Sequence, residues 1–354
     1  MKRLRDRGET IRRFVLENVE AHPRDITGFT ARKFGISRQA AYKHIANLRN
    51  EGALVSEGRT RKKIHRLAPL LDWDTTFDIQ PGLAEDRVLA EHIEPRLGSL
   101  PENVLRLWEY GFTEMFNNAI DHSQGSTISI SLRKYPASTE IWVMDDGVGI
   151  FKKIQQALGL MDERQAVLEL AKGKLTTDPS RHSGEGIFFS SRSFDHFVIT
   201  SGATYFTHEA GEEEDWILEN ERGLTGTNVF MKLSNHTSRV LKNVFDEFST
   251  DDNYGFNKTV VPVKLARLGT ENLISRSQAK RLLSRVDKFE TVLFDFRDVD
   301  TIGQAFADEI FRVFAAQHPG MKLYPINAND EVSQMILRAR HANPDGPQGQ
   351  GEPG

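Results

Sequence analysis

The feature that most constrains this chain is a set of four short segments in a fixed order. Each joins a carboxylate or a glycine to the end of a regular element. The first is LWEYGFTEMFNNAIDHS. Leu107, Phe112, Met115, Phe116 and Ala119 recur at helical spacing, so it predicts an amphipathic helix. Glu114 and Asn118 are four apart and share one face, with Asp121 and His122 on the next turn. A carboxylate there can orient or deprotonate a water. An amide oxygen can ligate Mg2+, a hard cation that prefers oxygen and keeps waters. The second segment, TEIWVMDDGVGI, alternates at Ile141 and Val143 as a core strand does and delivers Asp145 at its end. A carboxylate so placed can accept a hydrogen from an adenine amino group. Gly147 and Gly149 would let the backbone approach a purine with no Cβ in the way. The third, RHSGEGIFFSS, sets Gly184-Glu185-Gly186 before an apolar helix start, which suits phosphate binding by backbone N–H groups. In the fourth, GLTGTNVFMKL, Gly226-Thr227 opens a strand.

Singly, each segment is common. In the order E-x-x-N-N-A, D-D-G-x-G-I, G-x-G-I, G-T, with strands between, they make the middle of the chain resemble the GHKL ATPase domain of gyrase, histidine kinases and MutL, with its N, G1, G2 and G3 boxes. The resemblance implies ATP and Mg2+ as cofactors and an α/β sandwich over residues 83–250. It makes Glu114 the general base, Asn118 the Mg2+ ligand and Asp145 the adenine-reading carboxylate. Asp121, Gly147, Gly149, Gly184, Gly186 and Thr227 become nucleotide-contact positions. A rival phosphate motif fails: in AKGKLT, Leu175 follows the GK where Ser or Thr belongs, and Leu168 stands where the first Gly belongs. Residues 151–183 read as a lid between the second and third segments. Lys172, Lys174, Arg181 and His182 are either phosphate contacts there or surface charges.

Charge sets the first 68 residues apart. They hold 17 Lys/Arg and 7 Asp/Glu, a net +10 in a chain whose total is −4. A basic unit on an acidic body is an electrostatic footprint for an anionic polymer. Ile11, Phe14, Val15 and Val19 have helical spacing. Phe29, Ala31 and Phe34 then fit a short helix, Gly35-Ile36 a tight turn, and Ser37 the N-cap of a helix burying Ala40, Ala41, Ile45 and Leu48. Two short strands around a basic turn follow. The whole resembles a winged helix-turn-helix domain over residues 1–68. That resemblance implies DNA as partner, with Arg38, Gln39, Tyr42 and Lys43 entering the major groove and the wing, Arg61 and Lys62 included, on the backbone or minor groove. His44 and His65 read as solvated or packed.

Ala68 to about Gly82 reads as a connector carrying Pro69, Asp72, Asp74 and Pro81. From 256 to 340, strands alternate with helices, which means a parallel or mixed α/β sheet. This unit resembles a STAS-like domain, the fold of anti-anti-sigma factors, which implies a docking surface for a protein partner. The family's phosphoacceptor loop corresponds to Asp300-Thr301-Ile302-Gly303, where the usual Ser is missing. Residues 341–354, rich in Pro, Gly and Gln, read as a disordered tail. The expected architecture is therefore a multidomain α+β chain of three folded units and a tail.

No Cys is present, which excludes disulfides and thiolate metal sites and suits a reducing cytoplasm. The basic start, MKRLRDRGETIRR, is followed by no apolar run, so it is not read as a signal peptide. No stretch approaches the ~18 apolar residues of a membrane helix, so a cytoplasmic protein with no membrane partner is expected. Members of the GHKL group often dimerise, which adds a homodimer to the expectations. Three functions share the pocket. The first is an ATP-responsive DNA-binding regulator. The second is an anti-sigma-type serine/threonine kinase acting on a STAS partner. The third is a scaffold that holds ATP as a structural ligand.

Overall fold

The computed structural model describes residues 2–58, 63–175, 184–209, 216–250, 253–267 and 272–341. Three helices open the chain: α1 (Lys2–Asn18), α2 (Ile26–Phe34) and α3 (Arg38–Asn50). Gly35, at φ +60°, ends α2 in a left-handed turn. The Ser37 hydroxyl then accepts the Ala40 N–H at 3.1 Å and starts α3. β1 (Leu54–Glu57) and β2 (Ile64–Leu67) form an antiparallel hairpin. Val15, Val19, Ile26, Ile45, Leu48 and Leu54 make one core with these elements. Phe14 stacks on Phe29 and meets Phe34 edge-on.

The stretch read as a connector contains a strand. β3 (Leu71–Asp78) is the edge of a five-stranded sheet of order β3-β4-β5-β7-β6. Trp73, Thr75 and Phe77 are half-buried while Asp72, Asp74, Thr76 and Asp78 are exposed. That is the alternation of a strand with one face on a core. After it come α4 (Glu85–Val88), a π-helical turn, α5 (Glu94–Leu97), the long α6 (Glu102–His122), β4 (Thr127–Lys134) and β5 (Ser138–Asp145). Ile128, Ile130, Leu132, Ile141 and Val143 point inward, where α6 packs Leu107, Phe112, Met115 and Phe116 against β4 and β5.

Next in the chain are α7 (Ile150–Leu158), α8 (Glu163–Lys172), α9 (Gly186–Ser193), β6 (His196–Glu209), β7 (Trp216–Ser234), α10 (Leu241–Glu247) and a small pair, β8 (Ser249–Thr250) and β9 (Asn253–Phe256). The last segment alternates as expected: β10 (Lys258–Pro262), α11 (Arg276–Leu283), β11 (Thr291–Asp295), α12 (Gln304–Asp308) running through a π turn into α13 (Ala315–Gln317), β12 (Lys322–Ile326) and α14 (Asp330–His341). β10, β11 and β12 pair in parallel in that order.

Packing divides the chain differently from the spans 1–68, 83–250 and 256–340. One compact unit holds Met1–Val148, Ser193–Ile199 and Thr225–Leu241; the other holds Gly149–Arg192, Thr200–Leu224 and Lys242–Gly354. The helices of the expected lid thus fall with the parallel sheet. Among the described residues no helix is long and apolar enough to cross a membrane. The expected tail, His341 at the end of α14 apart, lies outside the described residues.

Candidate functional site

In the first unit, the polar face of α6 carries Glu114 and Asn118, both partly buried, and Asp121, exposed. Behind them Phe112 stacks on Phe116, which meets Phe77 of β3 edge-on. Gly111 admits the Phe194 ring, whose Cε2 would stand 2.2 Å from a Cβ there. The end of α6 is tied directly to the turn after β5. The Ser123 carbonyl accepts the Val148 N–H at 2.9 Å. A Cβ on Gly147 would stand 2.1 Å from that same carbonyl oxygen. This internal contact leaves no space for a side chain at 147, where the sequence suggested room for a purine.

Asp145 lies at the end of β5 opposite Thr227 of β7. Its Oδ1 accepts the Gly147 N–H at 2.9 Å and the Thr227 N–H at 3.2 Å, and the Thr227 side chain bonds it as well. Burial raises the Asp145 pKa, while those backbone and hydroxyl donors and the neighbouring Asp146 modify the rise. Thr227 sits well inside β7, which starts at Trp216, so Gly226-Thr227 does not open the strand as expected. Asp146 faces the other way. It accepts from the Ser126 N–H, the Ser126 hydroxyl and the Thr127 N–H at 2.7, 2.6 and 2.9 Å, and these donors hold its carboxyl far below the ordinary range. Two adjacent aspartates thus have separate work: Asp146 shapes the loop into β4, and Asp145 stands at the end of the sheet.

In the second unit, Gly149, at φ +87°, precedes α7. Gly186 is the first residue of α9, and the Glu185 carbonyl accepts the Phe189 N–H at 3.0 Å. Lys172 is not a phosphate contact. It is buried, and its ammonium donates to Glu169 at 2.7 Å and to the carbonyls of Arg281 and Ser284 at 3.1 and 2.8 Å. Burial lowers its pKa to about 8, against the pull of Glu169. Lys174 donates to the Lys288 carbonyl at 3.0 Å. Arg181 and His182 lie outside the described residues.

On the helical N-terminal module, Arg38, Gln39, Tyr42 and Lys43 are all exposed on one side of α3. Lys63 stands 6.0 Å from the Tyr42 ring centre. Arg61 and Lys62 fall outside the described residues. His65 is buried and bonds Ser56 Oγ at 2.8 Å. Among the described residues no group of three or more His, Asp or Glu side chains converges as a metal site.

Comparison with known proteins speaks to the C-terminal unit. Residues 278–333 match a STAS-like domain of unknown function (DUF4325). The match runs from α11 through β11, α12 and β12 into α14, two of the three parallel strands and the helices between them. A STAS-like domain at this end agrees with the strand–helix alternation read from the sequence. No curated protein matches the chain.

What sequence reasoning missed is the Glu169–Lys172–Arg285 cluster. Arg285 reaches Glu169 at 3.1 Å from 116 positions away. The only local signal was the i, i+3 spacing of Glu169 and Lys172 on a helix.

Proposed function

We propose that this chain binds Mg·ATP through its GHKL-like segments and uses the nucleotide to regulate DNA binding by its N-terminal module. The observation that carries the reading is the tie between the end of α6 and the turn after β5. The Ser123–Val148 bond and the Gly147 contact hold the polar face of α6 in fixed register with Asp145. The residues fit the group. An ionised carboxylate has about four lone-pair sites. Gly147 and Thr227 use three of them on Asp145, which leaves one for an adenine amino hydrogen.

Asn118 offers an amide oxygen. With nucleotide phosphates and waters it makes an oxygen set of the kind Mg2+ takes. Glu114, four residues earlier on the same face, would orient a water at the terminal phosphate. The bound nucleotide supplies the charge and the cleavable phosphate; these residues supply orientation. Such a ligand biases a two-state protein by its differential affinity for the two states.

DNA is supported by the +10 charge of residues 1–68 and by the exposed row Arg38, Gln39, Tyr42 and Lys43 on α3. The order of three helices and a hairpin is that of a winged helix-turn-helix.

Titration calorimetry tests the nucleotide half. Asn118→Ala should abolish Mg·ATP binding or nearly so, and an unchanged affinity would remove Asn118 from the site. Incubation with γ-labelled ATP separates the uses of the nucleotide. Free phosphate supports the ATPase switch, label on a STAS partner supports a kinase, and neither supports a structural ligand.

A further inference from the structure

β3 is the edge of the five-stranded sheet of the first unit, and among the described residues it pairs only with β4. The register runs unbroken from Leu71 opposite Lys134 to Asp78 opposite Thr127. Ile79, just past the end of β3, donates to the Ser126 carbonyl at 2.8 Å. In an antiparallel pair the bonding alternates by residue. Phe77, Thr75, Trp73 and Leu71 therefore bond to β4, while Asp78, Thr76, Asp74 and Asp72 turn their N–H and C=O groups outward. Those four residues are also the exposed ones. An unpaired edge eight residues long is a template for another strand.

The side chains decide which strand. Asp72, Asp74 and Asp78 stand at even intervals on the exposed face. Asp72 pairs with Arg133 at 3.2 Å, and Asp74 accepts the Ser131 hydroxyl. Among the described residues the Asp72–Arg133 contact is the only ion pair this row makes. Arg133 is also drawn to the Trp142 ring, 5.0 Å from its centre. The edge is therefore left acidic. A second copy of β3 does not fit it. Antiparallel pairing would set Asp72 opposite Asp78, or Asp74 opposite its own counterpart, and like charges directly opposite are destabilising. A strand with Lys or Arg at every second position meets the same carboxylates with opposite charge. Its intervening residues would fall on the other face, beside Trp73 and Phe77. There His92 stacks on Trp73 and meets Phe77 edge-on, and Arg96 lies 3.9 Å over Trp73. This half-buried aromatic surface suits apolar side chains.

We infer that β3 is a docking edge for an extended basic segment of a protein partner, added antiparallel, with Lys or Arg alternating with apolar residues. The edge shares no residue with the proposed nucleotide positions, so the inference stands apart from that reading.

Fluorescence anisotropy with the full chain tests it. The probe is a labelled peptide in which four lysines alternate with valines. Opposite the outward-turned residues of β3, its lysine amides would make the ladder bonds. One control is the same peptide N-methylated at the lysine amides, and the other has the same composition with its lysines in one block. The alternating peptide should bind. Each control should bind at least about tenfold more weakly, because several backbone bonds are lost at once. Thr76→Pro removes an outward N–H where an edge strand tolerates proline, and it should abolish binding. Asp74→Asn with Asp78→Asn should weaken binding about two- to thirtyfold, the range for two cross-strand charge pairs. Melting curves and light scattering monitor folding and self-association. If Thr76→Pro does not fold, the N-methylated peptide decides. Equal binding of the alternating peptide and either control, or no binding of the alternating peptide, overturns the docking edge. A dimer of the unmodified chain that Thr76→Pro dissolves gives the edge to a second copy and overturns it as well.

Discussion

Asp145 is a carboxylate whose neighbours are nearly all donors, and that determines what its amide counterpart would do. Asp145→Asn turns an acceptor-only group into one with two N–H donors facing the Gly147 and Thr227 amides. Hydrogen bonds to charged groups contribute about 1.5–3 kcal/mol. The proposed Mg·ATP affinity should therefore fall by about tenfold or more, read by calorimetry; an unchanged affinity would take Asp145 out of the site. Gly226 is constrained more severely. At φ +79°, with an added Cβ only 1.9 Å from the Asp145 carbonyl oxygen, it has neither the conformation nor the space for a side chain. Gly226→Ala should cost about 1–3 kcal/mol in thermal unfolding from strain alone and should displace Asp145 as well. The residue types around Asp145 were legible because their spacing follows the chain. The use of Gly147 was not, since its neighbour Ser123 is 24 positions earlier and no pattern connects them.

Elements were legible where local chemistry fixes both ends. The Gly35 turn and the Ser37 cap mark α2 and α3, and β11 is a short apolar run between polar turns. β3 escaped because its exposed face carries Asp72, Asp74 and Asp78, and only four half-buried positions reveal the period. α8 misled for a different reason: its buried end is decided by partners 109 and 112 positions away. Removing the carboxylate there takes the counter-charge from the buried Lys172 and the half-buried Arg285. Breaking such a pair costs about 3–5 kcal/mol, so Glu169→Gln should lower the midpoint of urea unfolding for this unit. In the N-terminal module the sign of the pH effect follows from two histidines. Burial first, then Arg12 and Lys43, lower the pKa of His44; burial first, then Lys63 and Arg49, lower that of His65. The folded module favours the neutral rings. Their contribution is fully present above the ordinary His value of 6.5 and is lost as pH falls through the lowered values. Hydrogen exchange of the α3 amides should speed up as pH drops below 6.5 by more than the intrinsic rate predicts, and His65→Gln should reduce that excess.

For the whole molecule, the concentration of positive charge in residues 1–68 makes salt the natural probe. A chain lacking residues 1–68 should lose salt-sensitive DNA binding, and survival of that affinity would exclude this module as the reader. Within it, Lys43→Ala should reduce the slope of log affinity against log salt by about 1, as loss of one phosphate contact does. The STAS-like end was legible because its strand–helix alternation is a local pattern. The packing units were not, since each is assembled from three stretches separated in sequence. That assembly has a consequence for synthesis. Lys172 leaves the ribosome 109 residues before the Arg281 carbonyl it binds. At bacterial-like rates of about 5–20 residues per second, the α8 helix waits on the order of 5–20 s with its burying surface open. Nascent-chain crosslinking should find this stretch held by a chaperone until α11 emerges.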